Sequence, residues 1–407
     1  MSSTPSAGPG ILFAHRPFRV FLWARGCSEF SYQIAAVAVG WQIYALTNSA
    51  FYLGLAGLVE FIPTLVLIFV AGHVADRYDR RRVVQLCQIA AGLTAAFLAW
   101  GSFGGWLNVG EIFAAVAVFG AATAFESPAA AALLPGVVPE GMLQRGTALT
   151  TGAFQIAMIS GPALGGLAYA VAPAMPYTMM AVFWLLAALM NAALRLQRPV
   201  DAQEPPTFAA LFAGVGFVRR NRAVFGTISL DLFAVLLGGA TTLLPIYARD
   251  ILHTGPWGLG LLRSAPAVGA LLMTAALARH PLARRVGLRM FQAVIVFGLA
   301  TVVFALSHLI WLSLLALAIL GAADTVSMVI RISLVQLATP ERMRGRVGAV
   351  NYLFVNASNE LGGFESGMTA ALFGAMPAAV LGGLGTIAVA LLWMKLFPTL
   401  RDFERLE

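Results

Sequence analysis

Along this chain, apolar runs long enough to cross a bilayer alternate with short polar or arginine-rich breaks. About 20 largely apolar residues in a helix span the hydrocarbon layer. Runs of that kind lie near 18–46, 52–75, 83–103, 110–134, 147–171, 176–196, 223–249, 258–279, 288–307, 310–336, 347–372 and 376–396. None shows the strict alternation of a barrel strand, so their backbone groups can be satisfied in lipid only as helices. The pattern predicts an all-α membrane protein with twelve transmembrane helices.

The second half of the chain echoes the first. Gly57, Leu58, Glu60 and Pro63 correspond to Gly260, Leu261, Arg263 and Pro266, and Ile43, Tyr44 and Ala45 to Ile246, Tyr247 and Ala248. Gly120, Ala121 and Ala122 match Gly321, Ala322 and Ala323. A loop reading P-E-x-M-x-x-R-x-x-A occurs twice, as Pro139, Glu140, Met142, Arg145, Ala148 and as Pro340, Glu341, Met343, Arg346, Ala349. Six spans repeated in parallel imply two pseudo-symmetric six-helix bundles about a midplane cavity whose exposure alternates, an architecture for transport. The expected divisions are a tail over 1–17, bundles over 18–196 and 223–396, a linker over 197–222, and a tail over 397–407.

Composition agrees with a lipid-embedded chain. Of 407 residues, 59% are hydrophobic and only 11% charged, against roughly a quarter charged in soluble domains. The 41 glycines suit close helix packing. All Lys and Arg residues except Arg25, Arg249, Arg263 and Arg331 fall in segments on one side of the predicted membrane, which places both termini in the cytoplasm under the positive-inside rule. A multi-pass inner-membrane protein is expected, with the lipid bilayer as a partner and the monomer as the working unit. The net charge of +8 is scattered over membrane-proximal segments and forms no single basic face for nucleic acid. The linker opens on the proline-rich 199–206, and Phe208, Leu211, Phe212, Val215 and Val218 then recur at helical spacing, suggesting a short helix in the inner leaflet.

Catalysis finds little support. The histidines are dispersed, no H-E-x-x-H or P-loop occurs, and Cys27 and Cys87 lie in spans at no metal or redox spacing. No enzyme activity, metal or cofactor is expected, and a pump driven directly by ATP is disfavoured.

Between the second and third spans, Gly72, His73, Val74, Ala75, Asp76, Arg77, Tyr78, Asp79, Arg80, Arg81 and Arg82 resemble the G-x-x-x-D-R-x-G-R-R/K signature of the major facilitator superfamily, in its expected place. The resemblance implies that Gly72 permits close approach of a facing helix and that Asp76 faces a helix N-terminus of the other half. It implies that Arg77, Arg80 and Arg81 pair with acids or carbonyls across an inner gate. Asp79 stands where the family usually has glycine, which bears on the turn geometry. The repeated loop acids and arginines, Glu140, Arg145, Glu341 and Arg346, belong to the same gating set. In the fifth span, Gly161, Pro162, Gly165 and Gly166 resemble the family's antiporter-associated G-P-x-x-G-G element, and also read as a small-residue packing face. F-L-W-A-R before Gly26, A-D-R-Y-D-R-R-R-V, and T-P-E-R-M-R-G-R-V from Thr339 to Val347 resemble the branch containing enterobactin exporters and related secretion effectors. A sister branch moves lysophospholipids.

Ionisable residues within spans are costly in lipid and normally face a partner or a water-filled path. Arg25 and Glu29 share a face of the first span, Glu126 lies on the fourth, Asp231 on the seventh, and Asp324 and Arg331 share a face of the tenth. The family fold lines its cavity with these four spans, so the six are expected to converge on a substrate and proton path. Asp231 and Glu126, lacking a partner on their own helices, are the expected proton carriers, while Arg25–Glu29 and Asp324–Arg331 also read as self-neutralising pairs. Glu60 and Arg263 occupy equivalent repeat positions with opposite charge, suiting a pair or gate. Asn356, Asn359, Glu360 and Glu365 make the eleventh span unusually polar. The expected function is export of a small amphipathic molecule, siderophore or drug-like, in exchange for protons. A lipid transporter and a non-transporting sensor are the alternatives.

Overall fold

The computed structural model describes residues 10–194, 208–280 and 284–404. Within these, twelve long helices follow the predicted spans: α1 Arg16–Thr47, α2 Ala50–Arg77, α3 Arg80–Gly104, α4 Val109–Val137, α5 Leu143–Val171, α6 Met175–Ala192, α7 Arg222–Leu237, α8 Gly255–Arg279, α9 Val286–Leu306, α10 Ile310–Ala338, α11 Glu341–Phe373 and α12 Ala375–Leu396. No strand occurs among the described residues. Ten of the twelve are long and apolar enough to cross a membrane, the seventh crossing being completed beyond the end of α7. The other two, α1 and α11, carry the most charged residues, including Arg25 and Glu29 on one and Glu360 and Glu365 on the other. Each packs along neighbours that shield it, α1 against α5 and α6, α11 against α2 and α7.

The seventh span departs from a simple helix. After Leu237 the chain breaks at Gly238 and Gly239, forms a 3₁₀ turn over Ala240–Leu243 and closes with a π-turn over Tyr247–Ile251. Gly239 lies so close to the Gly362 carbonyl of α11 that a Cβ there would collide with it. Pro245 cannot donate the backbone bond that would carry a regular helix onward. A broken helix at midplane turns backbone groups toward a cavity.

Small residues set how the bundles meet. Gly120 of α4 packs on the Glu60 backbone of α2, and its repeat equivalent Gly321 of α10 packs on Pro266 of α8. The two halves touch mainly through α5 on α8 and α2 on α11. At the first crossing Gly166 faces Pro256 and Gly260; at the second Gly367 faces Ala50 and Gly54. The crossings lie toward the face that carries the Thr47–Ala50 turn, the distal face.

Hydrophobic packing shows the same asymmetry. On the distal side one cluster runs through both halves, joining Ile34, Leu53, Phe119 and Trp184 to Leu243, Tyr247, Leu259 and Phe304. On the side of the termini the clusters are separate, around Phe18, Phe21 and Leu133 in the first half and around Leu230, Phe291 and Ile330 in the second. The molecule is sealed on the distal face and parted on the face of the termini. Exposed side chains such as Leu86, Trp100, Leu189, Leu272 and Leu315 coat the outside, as lipid contact requires.

Of the linker, the helix Phe208–Arg220 is described and buries Val218 beside Val224, Ile228, Val347 and Val350. Its Gly214 presses on the Arg346 backbone. The proline-rich 199–206 and the Asp76 side chain lie outside the described residues.

Candidate functional site

A cavity of about 320 Å³ sits between the halves beneath the distal seal. Its polar lining comes from Tyr32 of α1, Glu60 of α2, Thr241 and Thr242 at the break after α7, Arg263 of α8, and Asn359 and Glu360 of α11. Glu60 and Arg263, predicted from the repeat to face one another, line the same space without direct ion-pair contact. Glu360 reaches from the second half onto α2, where a Cβ built on Gly57 would lie 2.8 Å from its Oε2. Gly57 and Glu60 are one helical turn apart, so acids from opposite halves are brought to one place.

The six in-membrane charges expected to converge form two groups, one per half. In the first, Arg25 Nη2 lies 2.5 Å from Glu29 Oε1, and both line a second cavity of about 280 Å³ walled by Phe21, Leu134 and Phe154. Glu126 is enclosed instead. Only 1% exposed, it accepts hydrogen bonds from Ser28 Oγ at 2.6 Å, Gln88 Nε2 at 3.0 Å and Tyr32 O–H at 3.3 Å. Asn191 in turn donates to Gln88 at 2.8 Å, and Trp184 to Ser28 at 3.3 Å. Its partners come from α1 and α3, which is why its own helix offered none. Tyr32 is shared between this network and the central cavity, so Glu126 stands one hydrogen bond behind the cavity wall.

In the second half Arg331 of α10 makes a direct ion pair with Asp231 of α7 through Nη1 and reaches Asp324 at 3.6 Å through Nη2. The pair bridges two helices, where the sequence had offered Asp324 as the partner along one. Asp231 and Arg331 side chains are 9% and 12% exposed, that of Asp324 47%. A repeat-related bond anchors both halves: Trp393 Nε1 donates to Ser229 Oγ at 3.0 Å, as Trp184 does to Ser28.

The glycine element of α5 serves both neighbours. Gly161 and Gly165 pack on Gln33 and Ile34 of α1, while Pro162 and Gly166 meet Gly260 of α8. Gln155 Nε2 adds a hydrogen bond to the Ala267 carbonyl across the halves, 3.1 Å long. Farther toward the distal face, the Tyr44 hydroxyl donates to Asp250, and the Arg249 guanidinium lies over the Tyr44 ring at 5.4 Å. This contact between α1 and the end of the seventh span had no sequence signal beyond an isolated outer arginine.

Around the signature loop, Asp79 adopts negative φ and caps α3 by accepting from Arg81 N–H. The position therefore has no need of glycine. Arg80 donates to the Ala132 carbonyl and Arg81 to the Leu194 carbonyl, at 3.4 and 2.7 Å. Both of these acceptors lie in the first half. Arg77, Glu140, Arg145, Glu341 and Arg346 are exposed and Gly72 is half-buried on α2; Glu341 pairs with Arg344 at 3.5 Å. On α11, Asn356 and Asn359 donate to the Tyr352 and Val355 carbonyls and Glu365 accepts from Thr369; of these polar residues Asn359, with Glu360, lines the central cavity.

The model of the Major Facilitator Superfamily matches residues 21–363. An enterobactin exporter, EntS, from Citrobacter koseri is 27% identical over 399 residues, covering 97% of this chain and 95% of the relative. Its counterpart from Salmonella typhi is 26% identical over 400 residues, with the same coverage of each chain. The fold is similar to the crystal structure of nucleoside transporter NupG, with TM-score 0.72, 15% identity and coverage of 94% and 98%. A bacterial homologue of the iron transporter ferroportin in an inward-facing state gives TM-score 0.71 at 17% identity, covering 95% and 99%.

Proposed function

This chain belongs to the Major Facilitator Superfamily, and on that premise we propose that it exports a small amphipathic molecule, a siderophore or drug-like compound, in exchange for protons. The observation that carries the reading is the central cavity, closed on one face by two glycine crossings and lined by opposing charges from both halves. Similarity to enterobactin exporters over nearly the whole chain supports the direction and substrate size. With the termini in the cytoplasm, the sealed distal face is periplasmic and the cavity is poised to load from inside. A proton bound more tightly by one orientation than the other shifts the balance by that difference and no more. Asp324 and the cavity acids, reachable from the open path, are the carriers; Asp231 is held by Arg331, and Glu126 communicates through Tyr32.

The test is a proteoliposome with an imposed pH gradient, following uphill movement of candidate siderophores, dyes and lysolipids. Gradient-driven accumulation of a siderophore or dye is expected. Movement only down the substrate's own gradient, indifferent to pH, would replace antiport with facilitated diffusion, and selective movement of lysolipids would make the protein a lipid carrier.

A further inference from the structure

The linker helix Phe208–Arg220 covers α11 with one face and leaves the other bare. Gly214 and Val218 turn toward α11: a Cβ on Gly214 would lie 2.8 Å from the Arg346 carbonyl, and Val218 is buried beside Val347 and Val350. At about 100° per residue, Phe212, Arg219 and Arg220 fall on the opposite side. All three are exposed, Phe212 to 70%. The end of the helix is also held, because Asn221 caps α7 by accepting from the Ala223 and Val224 N–H groups and donates to the Ala338 carbonyl at 3.3 Å. The bare face is fixed in place on the second half.

The segments 219–222 and 341–346 that border this contact carry six arginines and one acid, Glu341. Three of the six are engaged. Arg222 donates to the Leu396 carbonyl at 3.1 Å and lies over the Phe397 ring, Arg344 pairs with Glu341, and Arg346 donates to Met343 Sδ at 3.9 Å. Arg219, Arg220 and Arg342 have no hydrogen bond or ion pair among the described residues. They flank members of one apolar cluster, Arg219 following Val218 and Arg342 preceding Met343. None of the three lines either cavity.

Many anions would answer the arginines, and Phe212 selects among them. A nucleic acid or an acidic protein leaves that ring in water, whereas a phospholipid sets its phosphate on the arginines and its acyl chains against the apolar side chain. The level suits a headgroup, since α7 begins at Arg222 and Phe225, one turn on, is 44% exposed. We infer that the bare face of the linker helix, together with Arg342, is a binding site for an anionic phospholipid of the leaflet on the side of the termini. The site belongs to the second half alone and does not depend on the export reading.

The test titrates the full-length protein in neutral-detergent micelles with phosphatidylglycerol or phosphatidylcholine of the same acyl chains, counting bound lipids by native mass spectrometry. Each basic residue at an anionic headgroup strengthens binding about fivefold, so phosphatidylglycerol should bind at least about tenfold more tightly. Arg219→Gln/Arg220→Gln/Arg342→Gln should erase that preference. Arg279→Gln/Arg284→Gln/Arg289→Gln, which removes three other exposed arginines of the second half, should keep it. All six side chains are exposed, so both variants should fold. Phe212→Ser should weaken phosphatidylglycerol binding with the arginines intact, and excess glycerol 1-phosphate should not displace the lipid. In nanodiscs, hydrogen exchange over 212–220 should slow when phosphatidylglycerol replaces phosphatidylcholine. Equal affinity for the two lipids in the wild type overturns the inference without reliance on any variant. So does a preference that survives the first triple variant, or an equal loss in both. Displacement by glycerol 1-phosphate also overturns it, making the patch a site for soluble phosphate.

Discussion

Replacing Arg331 by Met tests whether the clamp between α7 and α10 is structural. In the native protein Arg331 pairs directly with Asp231, both side chains largely excluded from solvent, and touches Asp324 more loosely at 3.6 Å. Met fills much of the arginine stem's volume but removes the charge. Asp231 is left as a lone carboxylate with 9% of its side chain exposed, and breaking a buried pair in this one-sided way costs about 3–5 kcal/mol. Asp324, 47% exposed, can be hydrated, so its loss adds little. Removing both charges in Asp231→Asn/Arg331→Met should restore most of the deficit, because the penalty lies in the uncompensated charge. The assay is a double-mutant cycle on unfolding free energy in mixed micelles. The reasoning fails if Arg331→Met costs under about 1 kcal/mol, or if the double variant is no more stable than the single.

Three further outcomes follow from other contacts. Tyr44→Phe removes the hydroxyl that donates to Asp250 across the distal face; a bond to a charged group contributes about 1.5–3 kcal/mol, so spin-label distances across that face should show a larger open population, and unchanged distances would deny the contact a latching role. Gly166→Val drives a side chain into the Pro256 carbonyl and Gly260 and should cost about 1–3 kcal/mol of overpacking, with loss of the sealed state in the same distance measurement; Gly152→Val, where no atom lies within 4 Å of a built Cβ, should leave it unchanged. Single cysteines at Arg80, Arg145, Arg284 and Arg344, in a chain lacking Cys27 and Cys87, should react only with membrane-permeant reagents, and labelling of intact cells by an impermeant one would reverse the proposed orientation.

The spans were legible because lipid imposes both a length and a composition on them, and apart from α7, which stops at Leu237 where the run to 249 was expected to stay helical, the observed helices begin and end within a few residues of the expected ones. Among the uninterrupted helices the largest offset is α11, which starts at Glu341 rather than near 347 because a charged first turn can stand outside the membrane as helix. The pairing of Arg25 with Glu29 could be read from a spacing of one turn. The pairing of Arg331 with Asp231 could not, since it depends on how α7 and α10 are rotated about their own axes. Glu126 shows the same limit: its three donors come from helices distant in sequence. The break after α7 left its mark in Gly238, Gly239 and Pro245, yet an apolar run hides a kink when only length and hydropathy are read. The polar face of α11 was decided by Gly57, whose missing side chain makes room for Glu360.

The repeat does more than duplicate helices, because it places small residues at two mechanically distinct kinds of contact. Gly120 on Glu60 and Gly321 on Pro266 lie inside the halves, where backbone against backbone leaves little room for sliding and makes each half stiff. Gly166 on Gly260 and Gly367 on Gly54 lie between the halves, at equivalent crossings on the distal face. Contacts this close are made or lost over small displacements, since dispersion energy falls steeply with a gap of even half an ångström to an ångström. Stiff halves joined by two such crossings respond to a change at the interface by rocking as units. A charge gained or lost between Glu60 and Glu360 acts beside one of those crossings, so the position where ligand binding would be felt first is also where the halves are held together.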